Sequence, residues 1–122
     1  MQIAQKNFYK KFLGRVGESK AVEFLKEQGY KILDKNYKTR VGEIDIVCEA
    51  DGEIVFVEVK TRSSDRYGSP SLAVDYQKQR KYFLVATSYL LKKFGTEDKN
   101  CRFDVIEIED GKINHIINAF SR

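Results

Sequence analysis

Four residues in the stretch "GEIDIVCEADGEIVFVEVKTR", Gly42 to Arg62, carry chemistry that a plain strand pair does not need: Glu43, Asp45, Glu58 and Lys60. The Asp51-Gly52 dipeptide between the two apolar runs signals a two-residue hairpin turn with φ > 0 at both positions. Counting back from that turn sets Asp45 opposite Glu58 and Glu43 opposite Lys60. Side chains alternate faces along a strand. These four residues therefore share one face with Ile54 and Phe56, and Ile44, Ile46, Cys48, Val55, Val57 and Val59 share the other. Directly opposed residues have Cβ atoms only ~5 Å apart, where like charges are destabilising. Two facing carboxylates ionise together only if a cation lies between them. Mg²⁺ or Mn²⁺ is suited to that place, because a hard ion takes one or two carboxylates and keeps waters and positions for substrate phosphates. Lys60, two residues beyond Glu58 on the same face, is placed to orient a water or to stabilise phosphate charge. The competing reading is a solvated polar face with a surface ion pair worth at most ~1 kcal/mol.

Further charged residues could complete such a site. Glu18 lies in line with Ala21, Val22 and Leu25, so it shares part of a helical apolar stripe. A carboxylate there is costly unless it is paired or bound to metal. Gly14 and Gly17 flank it and weaken a helix by roughly 1 kcal/mol each relative to Ala, which points to close approach of that helix to a sheet or a ligand. Lys78, Arg80 and Lys81 fall in the first turns of a second helix, where backbone dipoles also favour anions. Arg62, Arg66 and Tyr67 occupy the segment feeding that helix. Together these form a candidate nucleic-acid-binding patch, with an aromatic for base stacking. Tyr82, Phe83 and Tyr89 read as core. His115 has no acidic partner that the pattern identifies and reads as a structural strand residue. Cys48 and Cys101 form no C-x-x-C pair and read as reduced, buried, small apolar residues.

The elements that must position these residues are legible in outline. Phe8, Phe12, Val16, Ala21, Phe24 and Leu25 recur at helical spacing and predict a helix over Asn7 to Gln28, stopped by Gly29. A strand follows near Tyr30 to Tyr37, and the hairpin spans about Glu43 to Thr61. Asp75 is an N-cap for a second helix ending at Gly95. "RFDVIEIE" and "KINHIIN" form a second hairpin around Asp110-Gly111. The expectation is an α/β fold with a mixed sheet flanked by helices, in one domain over residues 1–122. Residues 41–59 hold six acidic and no basic residues, whereas 60–94 hold eight basic and two acidic. Basic segments suit phosphate backbones and an acidic focus suits a hard cation. No secretory signal or membrane-spanning run is present, so a cytoplasmic protein without membrane attachment is expected.

The blocks "GRVGESKAVEFLKEQGYKIL", "RVGEIDIV", "VFVEVKTRSSDRYGSP", "AVDYQKQRK" and "RFDVIEI" resemble, in order, those of the YraN-like family of uncharacterised bacterial proteins. That family in turn resembles the restriction-endonuclease-like, PD-(D/E)xK nuclease superfamily, and within it the archaeal Holliday-junction resolvases. The resemblance implies a restriction-endonuclease-like core. It places Asp45 at the acidic position of the second core strand, Glu58 and Lys60 at the E-x-K of the third, and Glu18 at the glutamate of the first helix. Ile44 stands where the superfamily pattern has Pro, and Asp75-Tyr76 stands where many relatives have Thr-Pro. The implied activity is divalent-metal-dependent hydrolysis of phosphodiester bonds, in DNA more than RNA, on branched or single-stranded substrates. Asp45 and Glu58 would hold the metal, with Glu18 binding directly or through water. Junction resolvases act as two-fold dimers, so the resemblance also admits a homodimer. The alternative is a nuclease-fold module that grips nucleic acid and recruits a partner without cutting.

Overall fold

The structure is a computed structural model and describes residues 2–62 and 75–121, with side chains from residue 14 onward. Helix α1 spans Gln2–Glu27, followed by strands β1 (Lys31–Lys38), β2 (Glu43–Ala50) and β3 (Glu53–Arg62), helix α2 (Tyr76–Phe94), and strands β4 (Cys101–Glu109) and β5 (Lys112–Phe120). The five strands form one mixed sheet in the order β1-β2-β3-β4-β5, antiparallel throughout except for the parallel β3–β4 pair. A parallel pair needs a crossover, and α2 supplies it. This is the α/β arrangement, a mixed sheet flanked by helices, expected from the order of elements, and it is consistent with the restriction-endonuclease-like core that the resemblance implies. Among the described residues no helix is long and apolar enough to cross a membrane.

Local signals set the element ends. Asp51 and Gly52 take φ of 51° and 79°, and Asp110 and Gly111 take 51° and 78°, so both hairpins close through two left-handed residues. Asp75 caps α2 by accepting from the Lys78 amide at 2.8 Å. Gly95, at φ 74°, ends that helix and returns its amide to the Leu91 carbonyl.

Each face of the sheet is covered by one helix. Ala21 and Leu25 of α1 pack on Ile46, Cys48, Val55, Val57, Ile106 and Ile108. Tyr82, Val85, Ala86, Tyr89 and Leu90 of α2, at helical spacing, pack on Val47, Ile54, Phe56, Phe103 and Val105. Ile44 departs from the expected alternation: it packs in the α2 layer, not with Ile46 and Cys48. The β2–β3 ladder explains this. It runs from Ala50↔Glu53 to Ile46↔Val57, as counted from the turn. Beyond it the Val59 amide donates to Asp45 Oδ2 at 2.8 Å, to a side chain instead of a backbone carbonyl. The strand bends at that point and Ile44 turns towards α2. The Glu43–Lys60 pairing expected from counting is likewise outside this ladder. Glu43 stands opposite Lys38 of β1, and Lys60 opposite Glu107 of β4.

Gly17 brings α1 close to the sheet, because a Cβ there would collide with Thr61 Oγ1 of β3. Gly14 has open space beside it and plays no such part. His115 is not without an acidic partner. Its Nε2 lies 2.7 Å from Oδ2 of the buried Asp104. Cys48 is buried and Cys101 half-buried, both as free thiols. Burial, with the Asp104 charge, pushes the Cys48 thiol up to about 12, so it is inert as a nucleophile.

Candidate metal centre

The site forms where the β2–β3 ladder gives way to side-chain contacts. Asp45 and Glu58 meet there through their carboxyls, which are in hydrogen-bond contact. Burial and the Glu58 charge push Asp45 up to about 8. Glu58 is pushed the other way. Burial alone would raise it, but its contacts with Asp45, Lys78 and Tyr82 together hold it below the usual carboxylate range. Two adjacent, desolvated carboxylates do not ionise together readily, so the pair titrates as a unit. Tyr82, in contact with Glu58 and buried, has its phenol raised by burial and by that carboxylate.

Lys60 is half-buried beside this pair. Burial lowers its ammonium pKa, while the Glu58 charge works against that shift. Glu18, on α1, is also raised, first by burial and then by Glu43, although the Asn36 side chain opposes this. Its charge reaches Asp45, but among the described residues no three of His, Cys, Asp and Glu are close enough to hold an ion together. Asp45 and Glu58 are therefore the carboxyl pair that the fold brings together, with Glu18 at the margin.

The basic residues divide. Lys78 turns inward, with Nζ 2.8 Å from Glu58 Oε2. That oxygen is buried and has no hydrogen bond of proper alignment, so the contact is an ion pair without directional donation. Arg62 is also turned inward: its Nε lies 3.2 Å from Glu107 Oε2, and its side chain is only 14% exposed. That ion pair ties Arg62 to β4. Arg80 and Lys81 are exposed on α2. Lys81 lines a groove of about 370 Å³ with Val41, Gly42, Glu43, Gln77, Lys78 and Tyr82. Arg66 and Tyr67 lie outside the described residues.

The inward turn of Lys78 had a signal in the sequence. It precedes the buried Tyr82 by one helical turn, so both lie on the stripe that faces the sheet.

The model of the "Uncharacterised protein family UPF0102" matches residues 17–108, which take in Glu18, the whole hairpin, α2 and most of β4. The chain belongs to that family. A UPF0102 protein of Alkaliphilus oremlandii is 53% identical over 115 residues, 90% of this chain and 98% of its own. One from Persephonella marina is 48% identical over 107 residues, 88% and 91% of the two chains. One from Caldanaerobacter subterraneus is 44% identical over 122 residues, 94% and 99% of the two. The likeness to these UPF0102 relatives thus extends over nearly the full length of each chain.

Proposed function

We propose that the protein is a divalent-metal-dependent nuclease that hydrolyses phosphodiester bonds in DNA, branched or single-stranded, with Mg²⁺ or Mn²⁺ as cofactor. The observation that carries this reading is the Asp45–Glu58 pair: two carboxyls, half-buried and in contact, at the break in a strand ladder. A fold gains nothing in stability from such a pair unless something removes the repulsion. The residues present fit a hard divalent ion, since Glu58 Oε2 is buried without an aligned hydrogen bond and both carboxyls offer oxygen ligands. Asp45 and Glu58 would hold the ion, and Glu18 would reach it through water. When bound, the ion would lower the pKa of a coordinated water and neutralise developing charge on the phosphate.

The chain's own residues supply the rest. Asp45 would bind the ion as a carboxylate, with its Oδ2 held in place by the Val59 amide. Lys60 orients the nucleophile from two residues beyond Glu58 on β3. Lys81, which lines the groove, and Arg80, exposed on the same helix, hold the phosphate backbone. The test is a cleavage screen in Mg²⁺ and Mn²⁺ over linear, flapped, single-stranded and four-way DNA, with RNA alongside. Cleavage that disappears in Asp45→Asn and in Glu58→Gln supports the proposal. No cleavage of any substrate by wild type removes it.

The second reading is a binding module of nuclease fold that recruits a partner. The Lys78–Glu58 ion pair favours it, because an internal lysine can neutralise Glu58 without any metal. It requires DNA affinity that is indifferent to Mg²⁺ and to changes at Asp45 and Glu58.

A further inference from the structure

Lys78 stands where a cation is needed, and its surroundings let it leave. Its Nζ lies 2.8 Å from Glu58 Oε2 and 5.9 Å from the centroid of the Tyr82 ring, so its charge is what both contacts draw on. Its side chain is 50% exposed, whereas that of Glu58 is 11% exposed. The ammonium enters the site while the stem remains at the surface. The backbone beneath it is fixed, because its own amide donates to the Asp75 cap. Motion of the side chain therefore does not disturb α2. The same residue lines the groove that Lys81 and Gln77 also line. One swing of a flexible four-carbon stem thus connects the carboxyl pair with a groove wide enough for a phosphate.

We infer that Lys78 is a displaceable internal counter-ion: it neutralises Glu58 in the metal-free protein, yields that carboxylate to a divalent ion, and then meets a substrate phosphate in the adjoining groove. This rests on the metal-dependent reading of the site and adds a coupling to it. Metal and nucleic acid compete for opposite ends of one ion pair, so each favours the other, and the coupling is reciprocal.

The experiment uses the full chain and Mn²⁺ as the probe, with affinity measured by calorimetry or by loss of the free-ion spin signal. Lys and Met have similar helix propensity, so Lys78→Met should fold as wild type does. Removing a competing charge of hydrogen-bond strength should tighten Mn²⁺ binding on the order of tenfold. Lys78→Arg keeps the charge and should stay near wild type. A structural role for Lys78 could lower metal affinity in Lys78→Met but could not raise it. Unchanged or weaker Mn²⁺ binding in Lys78→Met, while wild type still binds Mn²⁺, overturns the inference and leaves the metal site standing. Failure of both proteins to bind Mn²⁺ removes the metal site itself, and the inference with it. A second arm measures affinity for a single-stranded DNA oligonucleotide. Lys78→Met should lose several-fold in Ca²⁺ and nothing in EDTA, where the wild-type lysine is held by Glu58. An equal loss in both buffers makes Lys78 a standing phosphate contact and overturns displacement.

Discussion

Asp45 and Glu58 show at the scale of single residues how a fold can hold a group away from its ordinary titration. The Asp45 carboxyl is raised from 3.8 to about 8 in the native state, by burial and then by Glu58. A group raised on folding stabilises the native state below its unfolded value and withdraws that support as pH climbs through the folded value. Glu58 is lowered, so its contribution is complete above its unfolded value of 4.5. Between about pH 5 and about pH 8 the Asp45 effect is therefore left uncovered. In EDTA, the melting temperature of wild type should fall across this window, at up to about 1.4 kcal/mol per pH unit. Asp45→Asn should flatten that slope and raise the melting temperature at pH 8. Thermal melts of both proteins across the window check this, and parallel curves would show that Asp45 titrates normally. Adding Mg²⁺ should restore wild-type stability at the upper end by linkage, and should do less for Asp45→Asn or Glu58→Gln.

At the scale of elements, the position of α1 depends on a single missing side chain. Gly17 costs the helix propensity, and only its lack of a Cβ admits Thr61 Oγ1. Gly17→Ala should therefore destabilise the protein by about 1–3 kcal/mol, despite alanine being the better helix former. Thr61→Ala removes the colliding oxygen, and the double variant should recover most of the loss. Chemical denaturation of the two single variants and the double variant measures the coupling. Additive effects would mean that α1 does not rest on β3 at this point. The hairpins are firmer elements, because each turn places two residues at positive φ and Asp and Gly accept that conformation. The β2–β3 ladder keeps the register of its turn until the carboxyl pair interrupts it.

At the scale of the whole molecule, one buried carboxylate ties together parts that are distant in sequence. Asp104, 1% exposed, accepts from Arg102 Nε at 3.0 Å, from the Asn118 amide at 2.9 Å and contacts His115 Nε2 at 2.7 Å. Arg102 continues to Tyr30 at the end of α1 and to Glu53 at the first hairpin turn. Burial alone would raise Asp104, but these partners hold its carboxyl below the usual range. Its stabilising effect is present above its unfolded value and is lost as pH falls through the native one. Asp104→Ala should cost about 3–5 kcal/mol, because it takes from Arg102 the carboxylate that Glu53 and Tyr30 do not replace, and leaves the Asn118 amide without its acceptor. Acid unfolding should begin at higher pH in that variant than in wild type. The outer surface makes a separate prediction. Arg80→Ala with Lys81→Ala should weaken DNA binding evenly across sequences. It should also reduce the salt slope by about 0.9 for each B-DNA phosphate that these two side chains neutralise. Unchanged binding would place the nucleic-acid surface elsewhere.

Much of this protein could be read along its chain, because the signals are local. Asp-Gly pairs demand particular turns, Asp75 and Gly95 bound a helix, and two-residue alternation sorts Ile46, Cys48, Val55 and Val57 from Ile54 and Phe56. The meeting of Asp45 with Glu58 followed from counting along one hairpin. The Asp104–His115 contact was open to the same counting. The second turn sets His115 opposite Ile106, and Asp104 lies two residues away on the same face, within diagonal reach. Tertiary structure decided what no count along the chain expresses. Ile44 faces α2 because the ladder ends beside it. Arg62 is drawn to Glu107 by β4, its parallel neighbour and remote in sequence. Lys78 meets Glu58 because α2 crosses over the site. These contacts depend on how closely a helix or strand approaches another, a distance set by packing between layers and absent from the spacing of residues within any one of them.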